Sequence, residues 1–265
     1  IAYLWTMVER KVNAYSKPVG FFAFVWRLLL TMGTGSIFGF LVARQAYDTA
    51  LLAPMFIAMS FLYGLAIFIL VLMFAFAQDG RPIGDSILYR LKSLLGIFIG
   101  AVLFFVLVYF LTKLYGAKNY DVVSFYLVSG GSYTLMFWFG WMLLGLLAPL
   151  GIVFHPVLGT DRKWIAAACG LIVLGGLASM YVIIIGGQAF PMQLFPDKTI
   201  VESGFFDGVG GQPATYSPSV YELLLGLGGI AVAMIITAVG VRVLQFLPES
   251  LEDKVVDPHA AAATA

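Results

Sequence analysis

Charge is scarce in this 265-residue chain. Asp, Glu, Lys and Arg together make up 11% of it, against about 25% in a soluble domain. Cysteine is almost absent: Cys169 is the one example. A single thiol cannot form an internal disulfide, bind an iron–sulfur cluster alone or complete a zinc site, and inside an apolar run it reads as a small buried hydrophobe. There are two histidines, His155 in a connecting stretch and His259 in the tail. Haem held between two membrane helices needs axial histidines within those helices. The chain is therefore expected to carry neither haem nor an iron–sulfur cluster. A net charge of +1 without a basic patch gives no reason to expect nucleic acid as a partner. Phosphate-binding glycine loops, nucleophile constellations and repeats are also missing.

What remains is apolar: 61% of residues are hydrophobic and 15% aromatic. Repeated apolar runs of about 20 residues mark a polytopic membrane protein. Six spanning helices are predicted, over 20–43, 51–77, 94–112, 124–153, 164–187 and 219–245. Lipid offers the backbone no hydrogen bonds, so each span must satisfy its own. Runs such as FIAMSFLYGLAIFILVLMFAFA do not alternate in polarity as barrel strands would. The fold class is thus all-α, a transmembrane helical bundle. Lys and Arg are unevenly placed. Ten (Arg10, Lys11, Lys17, Arg81, Arg90, Lys92, Arg162, Lys163, Arg242, Lys254) fall on one side and four (Arg44, Lys113, Lys118, Lys198) on the other. The positive-inside rule makes the richer side cytoplasmic. Segment 1–19 and tail 248–265 then face the cytoplasm, and loop 188–217 faces outward. The start at Ile1, in mid-pattern, suggests a fragment lacking earlier helices.

Polar residues within the spans are the candidates for function. Arg27 lies roughly 10 Å along the first span and either snorkels or meets a partner in the bundle. Gly35 and Gly39 permit close helix packing, as do Ser60 and Gly64. The third span is aliphatic and aromatic, lipid-facing or structural. The fourth is the most polar, with Tyr126, Ser129, Ser132 and Tyr133 within about two turns. Buried hydroxyls need partners, so they either bond to neighbouring helices or line a wet path. Pro149 is expected to kink this helix. His155 is either an interfacial loop residue or a proton-entry group. The longest break between apolar segments runs from Gly186 to Gly229. At its far end Ser217 can cap a helix with Pro218 following, or Ser219 and Glu222 form a capping box. Glu222 is alternatively a carboxylate at the outer mouth of the bundle.

Several stretches, in order, resemble the membrane subunits of the polysulfide reductase family, the NrfD/PsrC type. They are GTGSIFGFLVAR at 33–44, LLAPMFIAMSFLYGLAIF at 51–68, IIGGQAFP at 184–191, FFDG at 205–208 and YSPSVYELLLGLGG at 216–229. The last three together are most similar to the ten-helix DsrP-type members of complexes linked to dissimilatory sulfur metabolism. The resemblance covers nearly the whole chain. It implies a subunit of the prokaryotic cytoplasmic membrane that interacts with menaquinone or another quinone and has no redox centre of its own. It also implies a periplasmic, ferredoxin-like iron–sulfur partner, with further membrane and cytochrome subunits.

The family builds two four-helix bundles. By that pattern, span 20–43 is the last helix of a first bundle, the spans at 51–187 form the second, and 219–245 is an extra helix. The family's quinone pocket lies mainly in the first bundle, so only Tyr47 and Asp48 are expected at its rim. Tyr126, Ser129, Tyr133 and Glu222 are the expected polar path for protons. Gln188, Phe190, Phe195, Phe205 and Phe206 are the expected docking residues for the iron–sulfur partner. The rival classes are a secondary transporter or proton channel, and a passive membrane anchor.

Overall fold

The computed structural model describes residues 3, 5–6, 9–195, 199–201, 213–214, 216–244, 248 and 250–253. The side chains of 193–195 and 199–201 are outside that description, as are Phe205 and Phe206 entirely. The described chain is helical except for one short antiparallel strand pair, β1 (Met192–Phe195) with β2 (Thr199–Val201). Six helices are long and apolar enough to cross a membrane, so the protein is a multi-pass integral membrane protein.

The first, α1 (Ser16–Gly39), follows a 3-10 turn, Arg10–Tyr15. Next come α2 (Leu52–Gln78) and α3 (Asp85–Tyr115). A short α4 (Tyr120–Ser124) continues as a π turn, Phe125–Ser129, and stops at Gly130–Gly131. Gly131 has φ +57°, a conformation that favours glycine. The fourth span, Ser132–Phe154, then runs as α5 (Ser132–Leu135), a π segment Met136–Leu147 and α6 (Ala148–Phe154). The fifth, Arg162–Ala189, comprises α7 (Arg162–Met180), a π segment Tyr181–Gly186 and α8 (Gly187–Ala189). The last is α9 (Val220–Leu244).

Four of these spans enclose the core. In ring order α2 touches α3, α3 touches α6, α6 and its π segment touch α7, and α7 returns to α2. Leu62, Ala66, Ile69, Leu95, Ile99, Val102, Leu146 and Ile172 fill the centre and are buried. The fourth and fifth spans meet backbone to backbone. A Cβ on Gly145 would stand 2.8 Å from the Gly175 Cα, and one on Gly175 would overlap the Gly145 Cα. Small residues permit this approach between membrane helices. Gly35 plays the same part between α1 and the start of α2, where a Cβ would lie 2.7 Å from the Leu52 carbonyl oxygen.

Ser60 and Gly64 do not pack in this way: Gly64 faces open space and Ser60 is exposed in a groove with Lys17 and Arg27. The core-facing side of α2 is taken instead by Met55, Met59, Leu62 and Ala66. The outermost helices contribute little to the core. Gly35 is the buried residue of α1, and α9 buries none of its span.

The ends are tied by charged side chains bonded to backbone. At the end holding the 79–84 and 155–161 turns, Lys92 is buried, donates to the Gly159 carbonyl at 2.9 Å and lies 4.4 Å from the Tyr89 ring centroid. Arg162 donates to Asp85 at 2.7 Å and to the Ile83 carbonyl at 2.6 Å. His155 Nδ1 accepts from the amides of Val157 and Leu158, both at 3.2 Å, which gives this exposed histidine a turn-closing job. The C-terminal segment latches on here. Leu251 bridges Ile83, and Asp253 accepts from the amide and hydroxyl of Ser86. Gly84, the N-cap of α3, has no side chain to offer, so Asp253 caps this helix from 167 residues away in sequence.

Two outcomes follow from these contacts. Gly175→Leu should lower the melting temperature of the purified protein in detergent, because overpacking costs about 1–3 kcal/mol or more. Gly100→Ala, where nothing lies within 4 Å, should leave it unchanged. The Ser86 hydroxyl and amide hold the Asp253 carboxyl below its ordinary range. A depressed carboxyl pKa stabilises the latch above the ordinary carboxylate range and loses that contribution as pH falls through the lowered value. Proteolysis of the tail should therefore accelerate on acidification. Asp253→Asn should be cleaved fast at every pH, and equal rates for wild type and variant would remove the latch.

Candidate functional site: the polar end around Tyr47

The other end of the bundle gathers most of the hydrogen-bonding side chains. Between α1 and α2 the chain makes tight turns over Phe40–Leu51; a lysine and a tyrosine of α3 reach into them, and an arginine and a tyrosine of the turn reach out to the fifth span. Lys113, buried at the end of α3, donates to the carbonyls of Gln45 (2.6 Å) and Asp48 (2.8 Å). One helical turn earlier, Tyr109 donates to the Ala46 carbonyl at 2.5 Å. Arg44 crosses to the fifth span and donates to the carbonyls of Gln188 (2.7 Å) and Phe190 (3.0 Å). Tyr47 donates to the carbonyls of Ile183 (3.0 Å) and Ile184 (2.8 Å). These two carbonyls belong to the π segment Tyr181–Gly186 and accept from the Gly187 amide as well.

Tyr47 is 1% exposed. Its ring lies on Gly187, where a Cβ would come within 2.6 Å, and packs against Phe38 with centroids 5.1 Å apart. Burial pushes its phenol pKa up, with the Arg44 charge acting weakly against this, so the hydroxyl keeps its proton and remains a donor. Asp48 is half-buried. Thus Tyr47 fastens the turn from beneath, and Asp48 is the member of that pair nearer the surface.

Three of the four residues singled out for a polar path lie along one side of this end. Tyr126 is buried against Gly186, with Phe110 and Phe125 around its ring. Tyr133 donates to the Ala214 carbonyl at 3.1 Å and stacks on Tyr181 with centroids 5.7 Å apart. Tyr181 donates to the Tyr216 carbonyl at 3.3 Å. Tyr216 donates to Glu222 at 2.7 Å, which raises the Tyr216 phenol pKa. Glu222 also accepts from the Ser219 amide (2.8 Å), while its own amide donates to the Ser219 hydroxyl (3.3 Å). That is a capping box at the start of α9. Ser129 is not brought in: it is exposed, just ahead of the break at Gly130. The break itself is knotted by Thr134, which donates to the Phe125 carbonyl and accepts from the Gly130 amide.

Of the docking candidates, Gln188 and Phe190 are half-buried at the end of the fifth span, and the Phe190 ring lies 5.6 Å from that of Phe125. Phe195 ends β1 with its side chain outside the description, and Phe205 and Phe206 lie outside the described residues. Arg44, Tyr109, Lys113 and Trp141 were not singled out from sequence. The available signal was the spacing Tyr109–Lys113, four residues apart on one face at the end of an otherwise apolar helix. Among the described residues, no three His, Cys, Asp or Glu side chains come together as a metal site.

Two curated relatives are similar over most of the chain. An "Hdr-like menaquinol oxidoreductase integral membrane subunit" of Archaeoglobus fulgidus is 31% identical over 260 residues, 96% of this chain and 64% of that protein. A selenate reductase subunit of Mesobacillus selenatarsenatis is 23% identical over 219 residues, 80% of this chain and 47% of that protein. The chain thus spans less than two thirds of the length of either relative. No solved structure matches it. The family model described as "Polysulphide reductase, NrfD" matches residues 1–192, from the first span to the start of β1, and the chain belongs to that family.

Proposed function

We propose that this protein is a quinone-linked integral membrane subunit of a multi-subunit respiratory oxidoreductase. The observation that carries this reading is the match, along 96% of the chain, to a menaquinol oxidoreductase membrane subunit. The selenate reductase relative adds a second protein named as part of a reductase complex. In this reading the protein sits in a prokaryotic cytoplasmic membrane with its polar end outward. It relays electrons between quinone and an iron–sulfur subunit, which docks on the outer face. A place in sulfur-metabolism complexes of the DsrP type is the narrower form of the same proposal.

Quinol oxidation releases electrons and protons at one place, so it needs an apolar slot, hydrogen-bond partners for the ring oxygens and an exit for protons. The space beside Tyr47 is about 20 Å³, far too small for a quinone ring. Quinone contact at this end therefore falls to the outer side of the turn, where Asp48 is half-buried, while Tyr47, Tyr109 and Lys113 hold the turn in place from behind. Glu222 is the carboxylate nearest the bundle along the Tyr133–Tyr181–Tyr216 line, and it is exposed. It is the proposed proton acceptor at the outer mouth. The docking surface is the 188–217 stretch, which Arg44 anchors at its start through Gln188 and Phe190. Aromatic residues such as those of this stretch suit an interface.

Two measurements test the proposal. Glu222→Gln retains a side chain that can close the capping box but removes the charge. The variant should fold and assemble, with quinol oxidation by the whole complex falling roughly 100-fold and its pH dependence flattening. A wild-type rate with an unchanged pH profile would exclude Glu222. Shortening the 196–212 stretch should release the iron–sulfur subunit during purification while the membrane subunit stays folded. Co-purification of an intact complex counts against docking there. Substrate flux through the isolated membrane subunit, without partner or quinone, would point to a transporter instead.

A further inference from the structure

Arg27 stands halfway along the 24 residues of α1, at mid-depth of a span long enough to cross a membrane. It is exposed and lines a groove of about 570 Å³ between α1 and α2. Phe24, Leu28 and Phe61 supply apolar walls, Ser60 brings a hydroxyl, and Lys17 lies toward the start of α1. The Phe24 and Phe61 rings meet across the two helices with centroids 6.3 Å apart. Thr31 donates to the Arg27 main-chain carbonyl at 3.0 Å. Among the described residues the guanidinium itself has neither a hydrogen bond nor an ion pair, and no carboxylate lines the groove. A cation without a counter-charge at the centre of a span is expensive, and intramembrane charges pair with one another or line a functional path.

The counter-charge has few possible sources at this depth. A lipid phosphate lies at the edge of the hydrocarbon, about 15 Å from its centre. Lys17, about 15 Å back along α1 at the helical rise, meets that edge, which is farther than the Arg27 side chain spans by snorkelling. A second copy of this chain has no carboxylate to offer there. Asp85 and Glu222 are the acidic residues of its six spans, and both lie in the first turn of their helices.

We propose that the α1–α2 groove docks a membrane helix from outside this chain's six spans, one that carries an Asp or Glu at mid-depth and pairs it with Arg27. An arginine fork takes a carboxylate through two parallel hydrogen bonds, so the pair sets both the depth and the rotation of the incoming helix. The apolar walls receive the side chains on either side of the carboxylate. This pairing is separate from the Tyr47 end and stands whether or not the protein handles quinone.

The test uses the intact complex in its native membrane. Photo-reactive benzoylphenylalanine in place of Phe24, which is 50% exposed beside the groove, should crosslink to a membrane helix with an Asp or Glu near its midpoint, identified by mass spectrometry of the joined peptides. Arg27→Glu should lower the yield of that crosslink about tenfold or more, as loss of one partner of a buried charge pair does. Arg27→Lys should retain most of it, and Lys in place of the partner carboxylate should restore it in Arg27→Glu. Crosslinks to lipid alone, to a helix without a mid-depth carboxylate or to a span of a second copy overturn the proposal. So does a wild-type yield in Arg27→Glu, the result expected of an arginine that only snorkels. If Arg27→Glu fails to fold, the identity of the helix crosslinked with Arg27 in place still decides.

Discussion

Side-chain donors on main-chain carbonyls, those of the Phe40–Leu51 turn and of the outer part of the fifth span, set the design of the Tyr47 end. In hydrocarbon each unsatisfied backbone group costs several kcal/mol, a cost that a π segment avoids through its own i→i+5 bonds even though it departs from α geometry. The fourth and fifth spans both depart from it, over Met136–Leu147 and Tyr181–Gly186. At the second of these the Tyr47 hydroxyl bonds the carbonyls of Ile183 and Ile184. The turn that carries Tyr47 has carbonyls of its own to satisfy, and Lys113 and Tyr109 take those of Gln45, Asp48 and Ala46. Arg44 closes the circuit by bonding Gln188 and Phe190. A cation spent on carbonyls is costly to bury, and here each buried lysine fastens a loop across a helix end.

The same constraint explains why one end of the bundle is polar and its middle is not. Leu62, Ala66, Ile69, Ile99 and Ile172 are close to fully buried and carry nothing that needs a partner. Close approach in this middle zone comes from Gly145 against Gly175, which places the two π-bearing spans in backbone contact. The rings of Tyr133 and Tyr181 stack across the same two spans, and Tyr126 is buried beside Phe110 of α3 and Phe125. The aromatic cluster and the glycine contact are two consequences of one packing arrangement.

The spans were legible from composition because about 20 apolar residues have few other uses. Their edges were harder to see. Tyr120–Ser129 and Ser132–Phe154 read as one helix, since nothing in the hydropathy of YLVSGGSYT distinguishes a break from a flexible glycine pair; it is φ +57° at Gly131 and the Thr134 knot that separate them. The capping box at Ser219 and Glu222 was readable from spacing alone. Tyr47 stood out as an aromatic at a span end, but its burial did not, because the Gly187 that makes room for it lies far along the chain, in the fifth span. Lys113 was hidden for a related reason. In sequence it is another outer-side cation, and only the fold brings the Gln45 and Asp48 carbonyls within its reach.

The two flanking helices put a physical limit on how this chain is arranged with others. α1 and α9 both present large apolar residues along their length, such as Phe21, Phe22, Trp26, Leu29 and Leu30 on one and Leu223, Leu225, Ile235 and Ile236 on the other. Lipid tails cover such faces at no cost, and so does another helix, which is why apolar exposure in a membrane does not by itself mark an interface. Fixed positioning has to come from polar ties. α9 buries none of its span and is tied through the segments that flank it: Tyr133 and Tyr181 donate to the Ala214 and Tyr216 carbonyls before it, and Arg81 and Ser86 donate to Pro248 and Asp253 after it. Its position against the bundle therefore rests on these flanking bonds. Glu222 joins the first of them to the helix itself, because its carboxylate accepts from both the Tyr216 hydroxyl and the Ser219 amide.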